Sequence, residues 1–371
     1  MAQKQKLDCH QLEPLPLHLF IQSLGNGLSW NLSDSSAALS TLADLGVDCQ
    51  LLANMPLSYA PMAGDERLRS AIASMYRDIS AEEVIVFCGA QEAIFATQLA
   101  ILQSGDEVVV IGPGYPTLTR TVLSMKIQFK TLEVQSDPWR FDIRQLPALL
   151  SPRTRLMVVN SPHNPTGAVL AKDDAKALCS QAEFLGIPLL SDEVGTFSHD
   201  PSAPEPMRMC EHSQQAMSLG VLSKSFGLPG IRIGWLVVRN QQWREKLMQA
   251  KGYLSICPSR LDQMVATELF SRSGPLLERN NKIRFENIAS ALALCKKYPL
   301  QVECSRPAAG LTGVVKLLVE DPFEHARKVA QQEQMLAFPA ALFGVKGPWL
   351  RVGFGSARFP EILKRWERCL Q

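Results

Sequence analysis

From about residue 66 onward, short apolar segments alternate with amphipathic helical stretches. Short, uniformly apolar strands separated by helices are typical of a mostly parallel sheet that helices cover on both faces. In such a sheet, ligands bind at the carboxyl ends of the strands. The pattern therefore predicts an α/β fold with its site at those ends. The predicted helices include 68–76 and 91–102, and the predicted strands are 84–87, 108–111, 156–160, 188–191, 217–221 and 233–238.

The character of the chain changes after about residue 250. A long helical stretch at 258–297 is followed by shorter β-like segments at 314–319 and 349–354. This change predicts a second, smaller α+β domain beside the large α/β domain. The predicted division is an N-terminal arm at 1–40 that packs on the small domain and the active site, a large domain at 41–255 and a small C-terminal domain at 256–371.

Composition narrows the class of protein. Lys and Arg number 38 and Asp and Glu 36, for a net charge of +2, so neither nucleic acid nor an anionic membrane is expected as a partner. The sequence has no long uncharged run and no apolar secretory core near its first residues. Nine cysteines occur without a CxxC motif or a compact Cys/His cluster, which predicts no metal site and favours free thiols in a cytoplasmic protein.

Small residues and an aromatic residue follow the first two predicted strands. Gly89, Ala90 and Gln91 open a helix, where backbone N–H groups favour an anion such as phosphate. An ordinary strand–helix turn would have the same composition. Tyr115 lies in a turn rich in Gly and Pro at 112–116, which can hold its ring against a planar ligand. Exposed aromatic residues are nevertheless common in turns.

Two polar side chains follow later strands. Asn164, between prolines in "SPHNPTG", is placed to offer its amide to a phenolate-type oxygen, although Asn-Pro is also a frequent turn signal. Asp192 ends an apolar strand, where a carboxylate is costly to bury without a cationic or N–H partner. Asp192 suits a protonated pyridine nitrogen, and a metal ligand or a helix cap is the alternative.

A single lysine lies in the apolar, Gly-rich stretch "VLSKSFGLPGIRIGW" at 221–235. Burial disfavours an ammonium group, and a neutral lysine amine can form a Schiff base with a carbonyl. A surface loop with Lys224 in water is the alternative. Ser223 and Arg232 add a hydroxyl and a cation to the same stretch. Together with the strand-end residues, this set indicates pyridoxal phosphate.

These motifs resemble those of the fold-type I pyridoxal-phosphate enzymes, the aspartate aminotransferase superfamily. The resemblance runs from about Tyr59 to the C-terminus and is most specific in "HNPTG", "SDEV" and "SKSFGLPGIRIGW". It implies that Lys224 carries the cofactor as a Schiff base and then acts as acid and base at the substrate α-carbon. It also implies that Asp192 bonds the pyridine nitrogen, Asn164 bonds the ring oxygen and Tyr115 stacks on the ring.

The same resemblance implies how the phosphate and the substrate are held. Its phosphate ligands would be Gly89, Ala90, Gln91, Ser223 and Arg232. Tyr59 would reach the phosphate of a neighbouring subunit, which implies a homodimer with shared active sites. Arg351, in "WLRVGFG", would clamp the α-carboxylate of an amino acid substrate.

Three departures from the superfamily pattern put simple transamination in doubt. Gly195 stands where relatives usually carry a tyrosine that bonds the ring oxygen, and Val221 where a phosphate-binding Ser or Thr is common. In place of a Gly-x-Pro substrate loop the chain has "NLSDSSAALSTLADL". This serine-rich stretch and the missing tyrosine resemble the cyclases of hydroxylated arginine, which form capreomycidine or enduracididine.

The narrower resemblance implies α-deprotonation, loss of the hydroxyl as water and attack by the substrate's own guanidine. An aminotransferase is the main alternative, followed by an elimination enzyme and by a catalytically silent cofactor-binding regulator. The guanidine requires a base, for which Asp34, Glu193, His10 and His18 are candidates. Asp34 could instead cap a following helix, and the histidines could be surface residues.

Overall fold

The computed structural model describes residues 14–136, 139–200, 205–270, 272–304 and 306–371. The α-helices are α1 (Pro16–Ser23), α2 (Cys49–Ala53), α3 (Glu66–Ala73), α4 (Ala90–Ile101), α5 (Thr117–Ser124), α6 (Leu146–Leu149), α7 (Lys172–Leu185), α8 (Gln241–Leu254), α9 (Arg260–Phe270), α10 (Ser273–Lys297), α11 (Pro322–Glu333) and α12 (Phe359–Leu370). The strands are β1 (Trp30–Asn31), β2 (Val84–Phe87), β3 (Glu107–Ile111), β4 (Gln128–Leu132), β5 (Thr154–Asn160), β6 (Leu189–Asp192), β7 (Ala216–Val221), β8 (Gly234–Val238), β9 (Val302–Cys304), β10 (Thr312–Leu317), β11 (Met335–Leu336), β12 (Phe338–Pro339) and β13 (Trp349–Gly353).

Seven strands form the large sheet in the order β2-β8-β7-β6-β5-β3-β4. β8 is antiparallel to both of its neighbours, and the other pairs are parallel. Along β5, Leu156 and Val158 join one apolar cluster and Met157 and Val159 join another. Alternate side chains thus point to opposite faces, and both faces are covered. The predicted mostly parallel α/β sheet is confirmed.

The sequence pattern located most strands of this sheet within two residues but missed β4. β4 is an edge strand with exposed or half-buried positions, so it lacks the uniform apolar pattern of the inner strands. The helical stretch predicted at 258–297 consists of two helices, because α9 ends at Phe270 and α10 begins at Ser273. Pro275 lies in the first turn of α10, where its missing N–H costs no hydrogen bond.

A second, antiparallel sheet follows in the order β12-β13-β10-β9. Near the N-terminus, β1 pairs in parallel with β11. Leu17 and Phe20 of α1 share an apolar cluster with residues of this C-terminal region, such as Trp366. Described residues of the N-terminal region therefore pack on the part of the chain that carries the small sheet. The domain boundaries given above stay a prediction.

Residues 30–38, here called the strap, run between the small sheet and the loop that carries Lys224. Leu32 bonds through its main chain to Leu336 and Gly353 at 2.8 Å each. Ala37 donates its N–H to the carbonyl of Lys224 at 3.0 Å. The strap is therefore fixed at both ends, on one side by the small sheet and on the other by the large domain.

Glycines allow the strap to lie this close to its neighbours. A Cβ at Gly353 would collide with the main chain of Asp34, and one at Gly355 with the main chain of Ser36. Gly227 lies three residues after Lys224, and a Cβ there would collide with the main chain of Ala38. Its φ of +71° also favours glycine. The strap thus makes backbone-to-backbone contact on both sides, which a side chain at these glycines would prevent.

Three further features concern the class of protein. In the ranges described, no helix combines the length and apolarity needed to cross a membrane. Among the same residues, no group of three or more His, Cys, Asp or Glu side chains is placed to hold a metal ion. The cysteines whose side chains are described are free thiols: Cys88, Cys179, Cys210, Cys257, Cys295, Cys304 and Cys369.

The strap contact predicts a loss of stability for Gly353→Ala. The added methyl must displace the strap or β13, so the free energy of unfolding should fall by about 1–3 kcal/mol, the usual cost of overpacking. Gly274→Ala, in α10, meets no atom within 4 Å and should leave stability unchanged or raise it slightly. Denaturant unfolding of both variants measures this difference, and equal stabilities would contradict the close contact.

Candidate active site

A cavity of about 320 Å³ lies at the carboxyl ends of β5, β6 and β7. Ser35 and Ser36 of the strap and Arg351 of β13 also line it. Most of the residues that the sequence singled out line it: Ala90, Gln91, Tyr115, Asn164, Asp192, Ser223, Lys224, Arg232 and Arg351. Side chains from separate strand ends therefore converge on one space, as expected for a parallel sheet.

Lys224 lies in this cavity rather than on a water-exposed loop. Its Nζ donates a hydrogen bond to Ser35 Oγ of the strap at 2.8 Å. Burial lowers the pKa of the amine to about 8, and the nearby Arg351 lowers the pKa further, while Asp34 and Asp192 oppose the shift. A substantial fraction of the amine is therefore neutral near physiological pH, as a nucleophile or base requires.

Asp192 ends β6 with its side chain 4% exposed. Burial raises the pKa of the carboxyl to about 6, while the backbone N–H of Val194 and the charge of Lys224 oppose this shift. The carboxylate is thus ionised at neutral pH in a desolvated place. A protonated ring nitrogen would supply the cation that this buried charge favours.

The first turn of α4 and Arg232 form an anion cradle. Gly89 precedes α4 with a φ of +85°, and a Cβ there would collide with the guanidinium of Arg232. Arg232 also donates to Ser223 Oγ at 3.3 Å. A cation, a hydroxyl and the free N–H groups of a helix N-terminus face the same point, and this arrangement fits a phosphate group.

A chain of amide contacts links the centre of the site to Arg351. Asn160 accepts a hydrogen bond from the backbone of Asn164 at 2.8 Å and donates to the carbonyl of Asp192 at 3.3 Å. Arg351 donates to Asn164 Oδ1 at 3.1 Å. The sequence analysis missed Asn160, although its place at the end of β5 was the available signal.

Arg351 is buried between aromatic rings. Its guanidinium carbon lies 4.2 Å from the ring centre of Phe343 and 5.1 Å from that of Phe338, and one terminal nitrogen donates to the carbonyl of Ser33 at 2.7 Å. Burial lowers its pKa to about 9, so it is still protonated at neutral pH. Its Nε has no partner among the described residues. This leaves donor capacity suited to a substrate carboxylate.

His163 also lines the cavity and was missed by the sequence analysis. Its Nε2 donates to the carbonyl of Pro113 at 2.7 Å, and its Nδ1 lies 2.7 Å from the hydroxyl of Thr166. Burial lowers the pKa of the ring to about 4, so the imidazole is neutral. It ties the "HNPTG" loop to the turn that carries Tyr115, whose half-buried ring faces the cavity.

The geometry separates the candidate bases. Glu193 is buried away from the cavity, where its carboxylate accepts from Met209 N and Ser218 Oγ at 2.8 Å each, so this candidate is wrong. His18 is exposed on α1 and does not line the cavity, and His10 lies outside the described residues.

Asp34 does not line the cavity, but it is close enough to Lys224 and Arg351 for its charge to oppose the lowering of the pKa of both groups. Its Oδ1 accepts from the N–H of Ser36 at 2.9 Å in a local turn. No described helix starts at Asp34, and the next one, α2, is capped by Asp48, so the helix-cap alternative is wrong.

Gly195, which stands in place of a tyrosine, lies close to a glycine of the small-sheet region. A Cβ on Gly195 would lie 3.1 Å from Cα of Gly310, in the loop that precedes β10. That loop is held by a bond from the N–H of Gly310 to the carbonyl of Ser198 at 2.7 Å. Backbone from the small-sheet region therefore lies close to position 195, which itself lines the cavity. Val221 lines the cavity and offers no hydroxyl there.

Comparison with known proteins places these features in a family. The model of the family described as aminotransferase class I and II matches residues 34–363. Capreomycidine synthase of Streptomyces vinaceus is 30% identical over 310 residues, covering 81% of this chain and 77% of that protein. Arginine–pyruvate transaminase AruH of Pseudomonas aeruginosa is 34% identical over 186 residues, covering 48% of this chain and 47% of that protein.

Solved structures agree on the fold. A PLP-dependent aminotransferase from Streptococcus suis superposes with a TM-score of 0.90 at 25% identity, covering 97% of this chain and 98% of that one. The PLP-dependent cyclase OrfR superposes with a TM-score of 0.84 at 24% identity, covering 98% of each chain. The anion cradle, the buried acid and the buried amine fit the cofactor of such enzymes. The chain therefore belongs to the class I and II aminotransferase family and is an enzyme that uses pyridoxal 5′-phosphate.

Proposed function

We propose that this enzyme is a cyclase that converts a γ- or β-hydroxylated L-arginine into a cyclic guanidino amino acid of the enduracididine or capreomycidine type. The observation that carries the proposal is the strap, which brings Asp34 and its serines to Lys224 and Arg351 in place of a Gly-x-Pro loop. The capreomycidine synthase of Streptomyces vinaceus, similar over most of both chains, supports this assignment.

The polar residues described above have distinct roles in this reaction. Bound pyridoxal phosphate supplies an electron sink when a proton leaves the substrate α-carbon. Arg232, Ser223 and the N-terminus of α4 would hold its phosphate, and the buried Asp192 would pair with the ring nitrogen. Asn164 and Tyr115, which line the cavity, would bond the ring oxygen and stack on the ring.

Arg351 binds the substrate α-carboxylate through its free donor capacity and so orients the α-carbon. Lys224 takes the α-proton as a neutral amine and later returns a proton to the product. Holding the carbon skeleton in one place makes attack by the substrate's guanidine effectively unimolecular.

The cyclisation balances without an oxidant or a keto acid. The substrate hydroxyl leaves Cβ or Cγ and departs with a proton as water. A guanidine nitrogen forms the new C–N bond and loses a proton. One water is lost, the α-amino group is retained, and nothing is oxidised or reduced overall. We assign Asp34 to receive the guanidine proton, because its carboxylate acts on both Lys224 and Arg351.

An aminotransferase is the second candidate. The arginine–pyruvate transaminase from Pseudomonas aeruginosa favours it, because that relative acts on an arginine and a keto acid. Such a reaction would need the same lysine, acid and carboxylate clamp. The two candidates differ in whether a keto acid is needed and whether the amino group stays on the product.

We further propose that the enzyme is a homodimer with shared active sites. Tyr59 is 82% exposed and Tyr253 is 91% exposed. The segments that carry them are close together, because a Cβ at Gly252 would lie 3.8 Å from Cε of Met62. Beyond α8, Arg260 donates to Ser58 Oγ at 2.9 Å. Large exposed aromatic side chains grouped in this way are typical of an interface, and Tyr59 is then available to the phosphate of the neighbouring subunit.

The first test gives the purified holoenzyme γ- or β-hydroxy-L-arginine without a keto acid. We expect a product lighter by one water that keeps its amino group, detected by mass spectrometry, because the hydroxyl leaves and the guanidine adds. Lys224→Ala should abolish the product and the lysine-dependent absorbance of the cofactor. Turnover that appears when a keto acid is added, with loss of the amino group, would instead identify an aminotransferase.

A matched pair of variants resolves the role of Asp34 in the same assay. Asp34→Asn keeps the side-chain oxygen that accepts from Ser36 but removes the negative charge. It should lower the rate of ring formation by about 10²-fold or more, the usual contribution of a general base. Asp44→Asn, which changes an exposed carboxylate farther along the chain, should react like wild type. Unchanged turnover of Asp34→Asn would remove it as the base.

Shared active sites predict complementation between inactive chains. We expect Lys224→Ala and Tyr59→Ala to be impaired alone, the latter at low cofactor concentration. After mixing and reassociation, a hybrid dimer contains one site with both wild-type residues, so about a quarter of wild-type activity should return if the chains associate at random. Recovery that stays at the level of the separate variants would exclude a site shared through Tyr59.

A further inference from the structure

Ser35 contacts the amine on which the reaction depends. Its Oγ accepts a hydrogen bond from Lys224 Nζ at 2.8 Å, and both residues line the cavity. The two residues are separated by 189 positions in the chain. Charged groups also act on the amine, with Arg351 and Arg232 opposing its protonation and Asp34 and Asp192 favouring it. Ser35 differs from these charged groups because it is neutral and accepts a hydrogen bond from the amine.

The backbone on either side of Ser35 is held firmly. The buried Ser33 donates its hydroxyl to the carbonyl of Arg351 at 2.5 Å and accepts from the N–H of Phe338 at 2.9 Å. Two residues after Ser35, the N–H of Ala37 donates to the carbonyl of Lys224. The hydroxyl of Ser35 is thus presented from a fixed stretch of backbone that is itself bonded to the lysine residue.

We propose that Ser35 is a positioning residue for Lys224, whose hydroxyl holds the free amine at the cavity side of its loop during proton transfer at the substrate. The role of Ser35 in cyclisation rests on the proposed function. Its hydrogen bond to Lys224 would serve proton transfer in a cyclase and in an aminotransferase alike.

Proton transfer by Lys224 requires that its amine be held in place. A lysine that removes a proton must be a free amine at that step, and its four-carbon side chain has several rotamers available. Proton transfer demands that Nζ lie within hydrogen-bond reach of the reacting carbon. One directional hydrogen bond from a fixed wall reduces this freedom, and misplacement by about 1 Å can cost on the order of 10²-fold in rate.

The first arm of the test uses the cofactor-free protein. Trace labelling with acetic anhydride modifies neutral amines, so labelling of Lys224, followed by peptide mass spectrometry, rises as the pH passes through its pKa. Wild type should show a midpoint near pH 8. Ser35→Ala removes an acceptor that favours the charged form, so its midpoint should move to lower pH by roughly half a unit.

The second arm uses the holoenzyme and L-arginine in deuterated water. L-arginine has no hydroxyl to lose, so α-proton exchange, followed by NMR, reports proton transfer by Lys224 in either a cyclase or an aminotransferase. Ser35→Ala should slow exchange about ten- to hundredfold while the concentration of L-arginine for half-maximal rate changes little. Ser29→Ala, on an exposed serine of the same N-terminal region, should match wild type in both arms.

The outcomes separate the two proposals. A shifted midpoint together with slower exchange supports Ser35 as a positioning residue. Slower exchange with an unchanged midpoint would indicate a general disturbance of the strap and overturn the assignment, as would a shifted midpoint with normal exchange. Absence of exchange in the wild type would count against an arginine-type substrate, whereas the labelling midpoint would still decide the contact of Ser35.

Discussion

A buried amine surrounded by opposing charges is the interaction on which the rest of this site depends. Desolvation and two guanidinium groups, those of Arg351 and Arg232, disfavour the ammonium form of Lys224, and the carboxylates of Asp34 and Asp192 favour it. Desolvation is the largest of these effects and brings the pKa of the amine down to about 8, so both protonation states are populated near neutral pH. The fold contributes by delivering these charges from both sheets to one cavity.

The motifs predicted the large-domain half of the site well because its residues follow strands. The carboxyl ends of β5 and β6 bring Asn164 and Asp192 together, and the chain order of a parallel sheet makes this convergence predictable. Local patterns in the sequence, such as the glycine before α4, also indicated the anion cradle. Here the information that determines the site is local or follows from regular topology.

The other half depends on contacts between distant parts of the chain. Nothing near Ser35 in the sequence indicates that it meets Lys224, because the contact is made by the route of the strap between two sheets. The neutral state of His163 likewise follows from burial, which outweighs the opposing effect of the carbonyl of Pro113 on its pKa, and no motif contains either. The two wrong readings, Glu193 as a base and Asp34 as a helix cap, have the same origin, since side-chain direction and the absence of a helix are three-dimensional facts.

The close approach of Gly195 to Gly310 bears on how activities diverge in this family. Gly195 also lines the cavity, and a Cβ at this position would lie 3.1 Å from Cα of Gly310, a contact that a shift of a few tenths of an ångström relieves. A side chain at position 195 therefore acts on the loop before β10 as well as on the cavity. Acquiring a tyrosine here would couple a new group in the site to a small displacement of the small-sheet region, so one substitution would alter both walls of the site together.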